Sequence, residues 1–153
     1  MKLSGWGRFP KVDCDRVVAR DFTDAMSAVE THRTLIARGN GRSYGDASLN
    51  ATSVLDMRRC ERILSFSPDP GTLTCEAGLL LSDLLEFLVP HGFFPPVTPG
   101  TKFVTIGGMV AADVHGKNHH GAGSFSRYVE SLELLCADGT LRRCSPGENA
   151  ELF

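Results

Sequence analysis

The stretch "GNGRSYGDASLN", Gly39 to Asn50, sets three glycines, one arginine and several hydroxyl side chains directly after the apolar run "TLIAR". Glycines let successive backbone N–H groups converge on an anion. Arg42 can neutralise negative charge, and Ser43 and Tyr44 can donate hydrogen bonds. The chemistry this suggests is the holding of phosphate. Asp46 is a poor phosphate neighbour and is expected to turn away or cap a local turn. The spacing is not that of the dinucleotide fingerprint, because Tyr44 stands where its third glycine belongs and Gly45 comes one position late. A Walker A loop needs a lysine, and none is present. On the loop alone, a plain glycine-rich turn between two strands stays open as an alternative.

A second cluster runs from Thr98 to Phe125, "TPGTKFVTIGGMVAADVHGKNHHGAGSF". A core segment has no need for so many glycines beside so many polar groups. Two such loops in one small chain suggest a large, flat or extended ligand wrapped from two sides. Asp113, His115, His119 and His120 are also possible metal ligands. His115 and His119 are spaced for one helical face, but Gly116 and Gly121 argue against a helix there, and no HExxH spacing occurs. His32 and His91 read as surface or hydrogen-bonded residues. A histidine-based metal hydrolase is thus a weaker third reading.

The elements that must position these loops follow from local pattern. "DRVVARDF" reads as a strand, and Thr23 as the N-cap of a helix with Ala25, Met26 and Val29 on one face. "TLIAR" and "SVLDM" read as strands on either side of the first glycine loop. "RILSFS" and "TLTCEA" flank the turn signal "PDPG" and predict an antiparallel hairpin. Ser82 is expected to cap a helix with Leu84, Leu85 and Leu88 inward and Gly92 near its end. "FFPPVTPGT" is a proline-stiffened connection, and "VTIGGMVAADVHG" has room for a short helix. A second hairpin centres on Asp138-Gly139. Helices and hairpins mix without regular strand–helix alternation, which favours an α+β class. "SPGENAELF" starts what reads as a helix and stops at Phe153, so the chain is expected to be a fragment of something longer.

Bulk properties exclude several classes. A chain of 153 residues with 42% hydrophobic and 22% charged residues is enough for one domain with a core. A net charge of -2 argues against nucleic acid as the main partner. The apolar runs are too short to span a bilayer, and the N-terminus has no apolar signal region. Five cysteines without a CxxC give neither a disulfide framework nor a zinc finger. Asn50-Ala51-Thr52 matches a glycosylation acceptor, a weak signal. Free thiols and the lack of a signal lead to the expectation of a cytoplasmic location, with a peripheral place at the membrane also open.

"ARGNGRSYGDASLN" followed by "PGTKFVTIGGMVAADVHGKNHHGAGSF" closely resembles the FAD-linked oxidases of the vanillyl-alcohol oxidase superfamily. Within it, the nearest look is to the bacterial oxidases of polyprenylphosphoryl ribose. "GWGR", "ADGTLRRCSP" and "AELF" fit in the same order, and the combination of "GRSYGD" with "HGKNHH" is specific. The resemblance implies a PCMH-type FAD-binding domain of two α+β subdomains over residues 1–153, incomplete at its C-terminus and without the substrate cap domain. It implies that Ala37, Arg38, Gly39, Asn40, Gly41, Arg42, Ser43, Tyr44, Gly45, Asp46 and Ala47 hold the pyrophosphate of FAD. It implies that Gly100, Thr105, Ile106, Gly107, Gly108, Ala112, Asp113, Val114 and His115 line the cofactor, with Lys117 beside the flavin and substrate pocket.

Arg42 stands where many members carry the histidine that bonds to the flavin, so the resemblance implies non-covalent FAD. The implied activity is oxidation of a sugar alcohol, foremost a polyprenyl-phosphate-linked pentose, with an alditol or an aldonolactone as alternatives. A separate partner reductase is implied in the same way. A non-catalytic remnant or nucleotide-binding module is the reading from another class. No catalytic base is assigned.

Overall fold

The computed structural model describes residues 1–153. Strands β1 (Lys2–Ser4) and β2 (Lys11–Asp13) form a short antiparallel hairpin at the N-terminus. Strand β3 (Asp15–Val18), helix α1 (Phe22–Thr31), strand β4 (Ile36–Arg38) and strand β5 (Ser53–Asp56) follow. The three strands make a parallel sheet in the order β3–β5–β4. Every residue of β5 is buried, as expected of a central strand in a parallel sheet. The strands are legible in the sequence but their parallel pairing is not, because alternation along one strand says nothing about its partner's direction.

Helix α1 starts two residues earlier than its pattern suggests. Asp21, not Thr23, is the N-cap, and its side chain accepts from the Asp24 N–H at 2.9 Å. A carboxylate at this position also favours the positive end of the helix. The helix lays Ala25 and Ala28 against Ala19, Leu55 and Cys60 to make a first core. Met26 and Val29 are only half-buried.

Strands β6 (Ile63–Ser67) and β7 (Thr72–Cys75) form the expected antiparallel hairpin around the Pro-Asp-Pro-Gly turn. Helix α2 (Leu81–Leu88) has Leu80 at its N-cap and no side-chain cap. Ser82, expected as the cap, lies inside the helix and donates to the Asp83 carboxylate. The cap is tertiary. The N–H groups of Leu81 and Ser82 donate to the carbonyls of Val104 and Lys102, each at 2.9 Å. A neighbouring segment thus does the work of a capping side chain.

Leu81, Leu84 and Leu88 pack with Leu79 and Met109 into a second core, walled by Phe66, Phe87 and Phe93. Phe66 meets both Phe87 and Phe93 edge to face. Gly92 ends the segment in the left-handed region at φ 81°. Helix α3 (Ile106–Ala111) supplies Met109, which is fully buried. Helix α4 (His119–Ala122) is one turn long, strands β8 (Leu132–Leu135) and β9 (Leu141–Cys144) pair antiparallel, and a 3₁₀ turn spans Ala150–Leu152. The helix expected at the C-terminus is only that single turn. Two separate cores, each mixing helix and sheet, match the expectation of two α+β subdomains. All five cysteines are free.

Candidate functional site

The first glycine loop leaves the C-terminal end of β4, and Arg38 pins both of its flanks. The Arg38 guanidinium donates to the Ser4 carbonyl at 2.7 Å and to the carbonyl and hydroxyl of Ser48 at 3.2 and 3.1 Å. Arg38 is therefore spent on the protein. Gly41 and Gly45 sit at φ 64° and 61°, where other residues are strained. Between these pins the backbone N–H groups from Gly39 to Ser48 meet no protein acceptor, although the chain makes 70 backbone–backbone hydrogen bonds elsewhere. A loop this lacking in internal pairing needs water or a ligand to satisfy its donors.

The charges around the loop favour an anion. The Arg42 guanidinium donates to the Asn40 carbonyl at 3.0 Å and lies over the Trp6 ring, 5.3 Å from its centroid. It makes no ion pair. Beneath the loop, Arg16 and Arg58 hold the buried Asp56 carboxylate at 2.6 and 2.7 Å. A cavity of about 150 Å³ lies between them, Arg38 and the backbone of Gly39 and Asn40. Burial alone would raise the Asp56 pKa, but hydrogen bonds from Arg58 and Arg16 outweigh it and bring it to about 2. Three arginines against one carboxylate leave a net positive field under the loop.

Ser43, Tyr44 and Asp46 are exposed, and their side chains bond to no protein group. Ser43 and Tyr44 are free to donate to a ligand. Asp46 contributes only its carbonyl, to the Leu49 N–H. The side chain that caps a local turn is Asn50, which accepts from both the N–H and hydroxyl of Thr52. Ala37 lies in β4, and Ala47 in the exposed loop.

The second segment is brought against the first. Asn40 Nδ2 donates to the Phe103 carbonyl at 2.9 Å, and Thr105 fills the space beside Gly39. Thr105 is buried and caps α3 by accepting from the Gly108 N–H at 3.2 Å. The next two N–H groups are spent on neighbouring carbonyls, Ile106 on Leu79 and Gly107 on Ala77, each at 2.8 Å. The amino end of α3 is thus closed by protein, and Thr105 to Gly108 form a packed wall with Gly108 exposed. Ile106 and Val114 turn into the second core.

Asp113 is a non-glycine residue at φ 38°. Its carboxylate accepts from the Ser126 N–H at 3.0 Å, and this bond first, then the serine hydroxyls, keeps its pKa below the usual range. Ala112 and Asp113 thereby fix the turn from α3 into the histidine segment. His115 and Lys117 are exposed and, with Gly100, line an open cleft of about 830 Å³ walled by Pro95, Pro96 and Pro99. That volume is on the scale of cofactor and substrate sites.

The rings of His115 and His119 lie 5.0 Å apart, and those of His119 and His120 4.0 Å apart. A helix does form at His119 despite Gly121, but His115 lies before it, so the two do not share its face. No group of three His, Cys, Asp or Glu side chains is placed to hold a metal ion. Trp6 is the residue at this site that the loop motifs did not point to. Its sequence signals are that it is the lone tryptophan, set between two glycines, and that it lies in the stretch "GWGR".

The family described as "FAD binding domain" matches residues 20–145. Decaprenylphosphoryl-beta-D-ribose oxidase of Mycolicibacterium smegmatis is 42% identical over 99% of this chain and 35% of its own length. L-gulonolactone oxidase of Mus musculus is 32% identical over 75% of this chain and 26% of its own length. The solved structure of Physcomitrella patens BBE-like 1 variant D396N superposes with a TM-score of 0.75 at 22% identity, over 90% of this chain and 31% of that one. That likeness gives the fold, a PCMH/BBE-like FAD-binding fold, and the chain spans between a quarter and about a third of the length of these proteins. No helix is long and apolar enough to cross a membrane. With a matched segment that contains both glycine loops, the chain belongs to the FAD binding domain family.

Proposed function

We propose that residues 1–153 are the cofactor-holding portion of a flavin-dependent oxidoreductase that oxidises a hydroxyl of a sugar, with FAD held non-covalently. The observation that carries this reading is the run of unpaired N–H groups from Gly39 to Ser48, set over a positive field and beside Arg42. A diphosphate has the charge and acceptor count to satisfy such a run. Gly39 to Ala47 would take the diphosphate, with Arg42, Ser43 and Tyr44 as side-chain donors. Thr105, Gly107 and Gly108 would pack against the cofactor, and Gly100, His115 and Lys117 would face its reactive end across the open cleft.

FAD, when bound, supplies a two-electron acceptor for the hydride from the substrate's carbinol carbon. The chain's part is to bind, orient and exclude water. Exposed Lys117, with His115 and His119, puts positive or protonatable groups at the cleft, which suits a substrate carrying phosphate. The identity with the decaprenylphosphoryl-ribose oxidase supports a polyprenyl-phosphate-linked pentose as substrate. A sugar lactone is the second reading, supported by the likeness to the gulonolactone oxidase. A separate reductase that returns the oxidised sugar to an alcohol fits the first substrate.

Arg42 cannot form the bond that a histidine makes to a flavin. The test is an FAD titration of the purified chain followed by flavin fluorescence, then denaturation of the complex. Saturable binding, weakened by Arg42→Ala and fully released on denaturation, is the expected result. Absence of saturable binding overturns the reading that this chain makes the diphosphate site, and flavin that stays on the denatured polypeptide overturns non-covalent attachment.

A further inference from the structure

The N-terminal hairpin lies outside the segment that the family matches, residues 20–145, yet it touches the first glycine loop at three places. The Trp6 N–H donates to the Ser43 carbonyl at 2.8 Å. Gly5 packs so closely that a Cβ there would lie 2.5 Å from the same carbonyl and 2.8 Å from that of Gly45. The Ser4 carbonyl receives Arg38 at 2.7 Å. On top of this backbone contact, the Trp6 ring faces the Arg42 guanidinium at 5.3 Å.

We propose that Trp6 is a positioning residue of the cofactor site, whose ring holds the Arg42 guanidinium at the mouth of the glycine loop for an incoming diphosphate. The inference rests on the proposed FAD site and adds to it a residue from outside the family segment. Arg42 has one carbonyl contact, from Asn40, and no carboxylate partner. Without the ring, a long side chain at an exposed loop would sample many rotamers, and its ordering would be charged to binding. The ring face attracts a cation within about 6 Å of its centroid without consuming a hydrogen-bond donor. The guanidinium N–H groups that Asn40 does not take therefore remain free for the anion.

Trp6 is the single tryptophan of the chain, so its emission reports on this contact alone. The experiment is titration of the purified chain with FAD and, separately, with ADP, which carries the diphosphate but no flavin to quench by energy transfer. In the wild type, ADP is expected to change Trp6 emission saturably. Trp6→Ala is expected to weaken both ligands about two- to fivefold, the range of an exposed cation–π contact. Trp6→Phe, which keeps a ring, stays within about twofold of the wild type, while Trp6→Leu, apolar without one, behaves as the alanine variant does. In an Arg42→Ala background the Trp6→Ala change adds nothing further.

Equal binding by wild type and Trp6→Ala overturns the inference and leaves the cofactor reading standing. So does an equal loss in the Arg42→Ala background, which would make Trp6 a packing residue only. If Trp6→Ala does not fold, the Phe and Leu variants decide, and equal affinities for the two overturn the inference. A wild-type chain that binds neither FAD nor ADP overturns the cofactor reading and this inference with it.

Discussion

The side chain of Thr105 occupies the place that a Cβ on Gly39 would need, with Cγ2 and Cβ at 3.1 and 3.2 Å from it and Oγ1 closer still. This contact joins the two glycine-rich segments, because Gly39 opens the first and Thr105 caps the helix that lies within the second. Thr105 is buried and cannot swing aside without giving up its bond from Gly108. Gly39→Ala is expected to destabilise the chain by about 1–3 kcal/mol through overpacking. It should also weaken FAD by moving the loops apart. Thr105→Ala alone should cost about 1 kcal/mol through the lost cap. The double variant Gly39→Ala/Thr105→Ala should be more stable than the sum of the two losses, because the second change makes room for the first. Urea unfolding of the four proteins measures this, and strict additivity would show that the contact does not couple the loops.

Asp56 should make the fold sensitive to acid. Its carboxylate is nearly buried between Arg16 and Arg58, and its pKa is held at about 2 against 3.8 for the free group. The folded value is the lower one, so the stabilisation is complete above pH about 4. It fades as pH falls from about 4 toward 2. The shift corresponds to about 2 kcal/mol. Asp56→Asn lacks the titration and should already be destabilised at pH 7 by about 3 kcal/mol, since it leaves two guanidinium groups beside a neutral amide. The gap between wild type and variant should therefore narrow as the pH is lowered from 5 to 2. Parallel acid curves would assign the loss to other carboxylates.

The features legible in the sequence are those whose cause is local. Pro68 to Gly71 and Asp138-Gly139 announce hairpins because turn chemistry depends on adjacent residues. The glycine loops stand out for the same reason. The start of α2 is not legible, because its partner is distant in sequence. Ser82 is a good capping residue by type, but the carbonyls of Lys102 and Val104 already take the first N–H groups of its helix. The site shows the same division. Arg38 and Arg42 look alike in "ARGNGR", and only the fold sends one to Ser4 and Ser48 and leaves the other facing outward. Trp6 reaches the loop through the pairing of β1 with β2, which no loop motif encodes.

Thiol chemistry offers an independent check of the second core. Burial pushes the Cys75 thiol up to about 11, with the nearby Glu76 charge adding to it. Cys14, Cys60 and Cys144 are buried, whereas Cys75 and Cys136 are each half-buried, the latter at the end of the β8–β9 hairpin. Iodoacetamide at pH 8 should modify Cys136 first, because the thiolate is the reactive form and access is required. Cys75 should react only near pH 11 or after unfolding. Mass mapping of the alkylated peptides tests this order, and early labelling of Cys75 would mean that the β6–β7 hairpin opens readily.

The two arginines of the first loop should separate by experiment into one that holds the fold and one that holds the ligand. Arg38 makes three hydrogen bonds to the protein, and burial first, then the Arg58 charge, lowers its pKa. Its loss leaves the carbonyls of Ser4 and Ser48 without their donor. Arg38→Ala should cost about 2–3 kcal/mol of stability, as expected for charge-assisted bonds. Arg38→Lys should recover only part of this, since an ammonium cannot span both flanks of the loop in one plane. Arg42 has a single carbonyl contact and a ring beneath it, so Arg42→Ala should change stability by less than about 1 kcal/mol while weakening FAD and ADP. It should also flatten the salt dependence of ADP binding, because one cation fewer meets the diphosphate. Thermal unfolding and ADP titration at two salt concentrations read both effects. A stable Arg38→Ala chain with weakened binding, or an unstable Arg42→Ala chain, would reverse the assignment of the two roles.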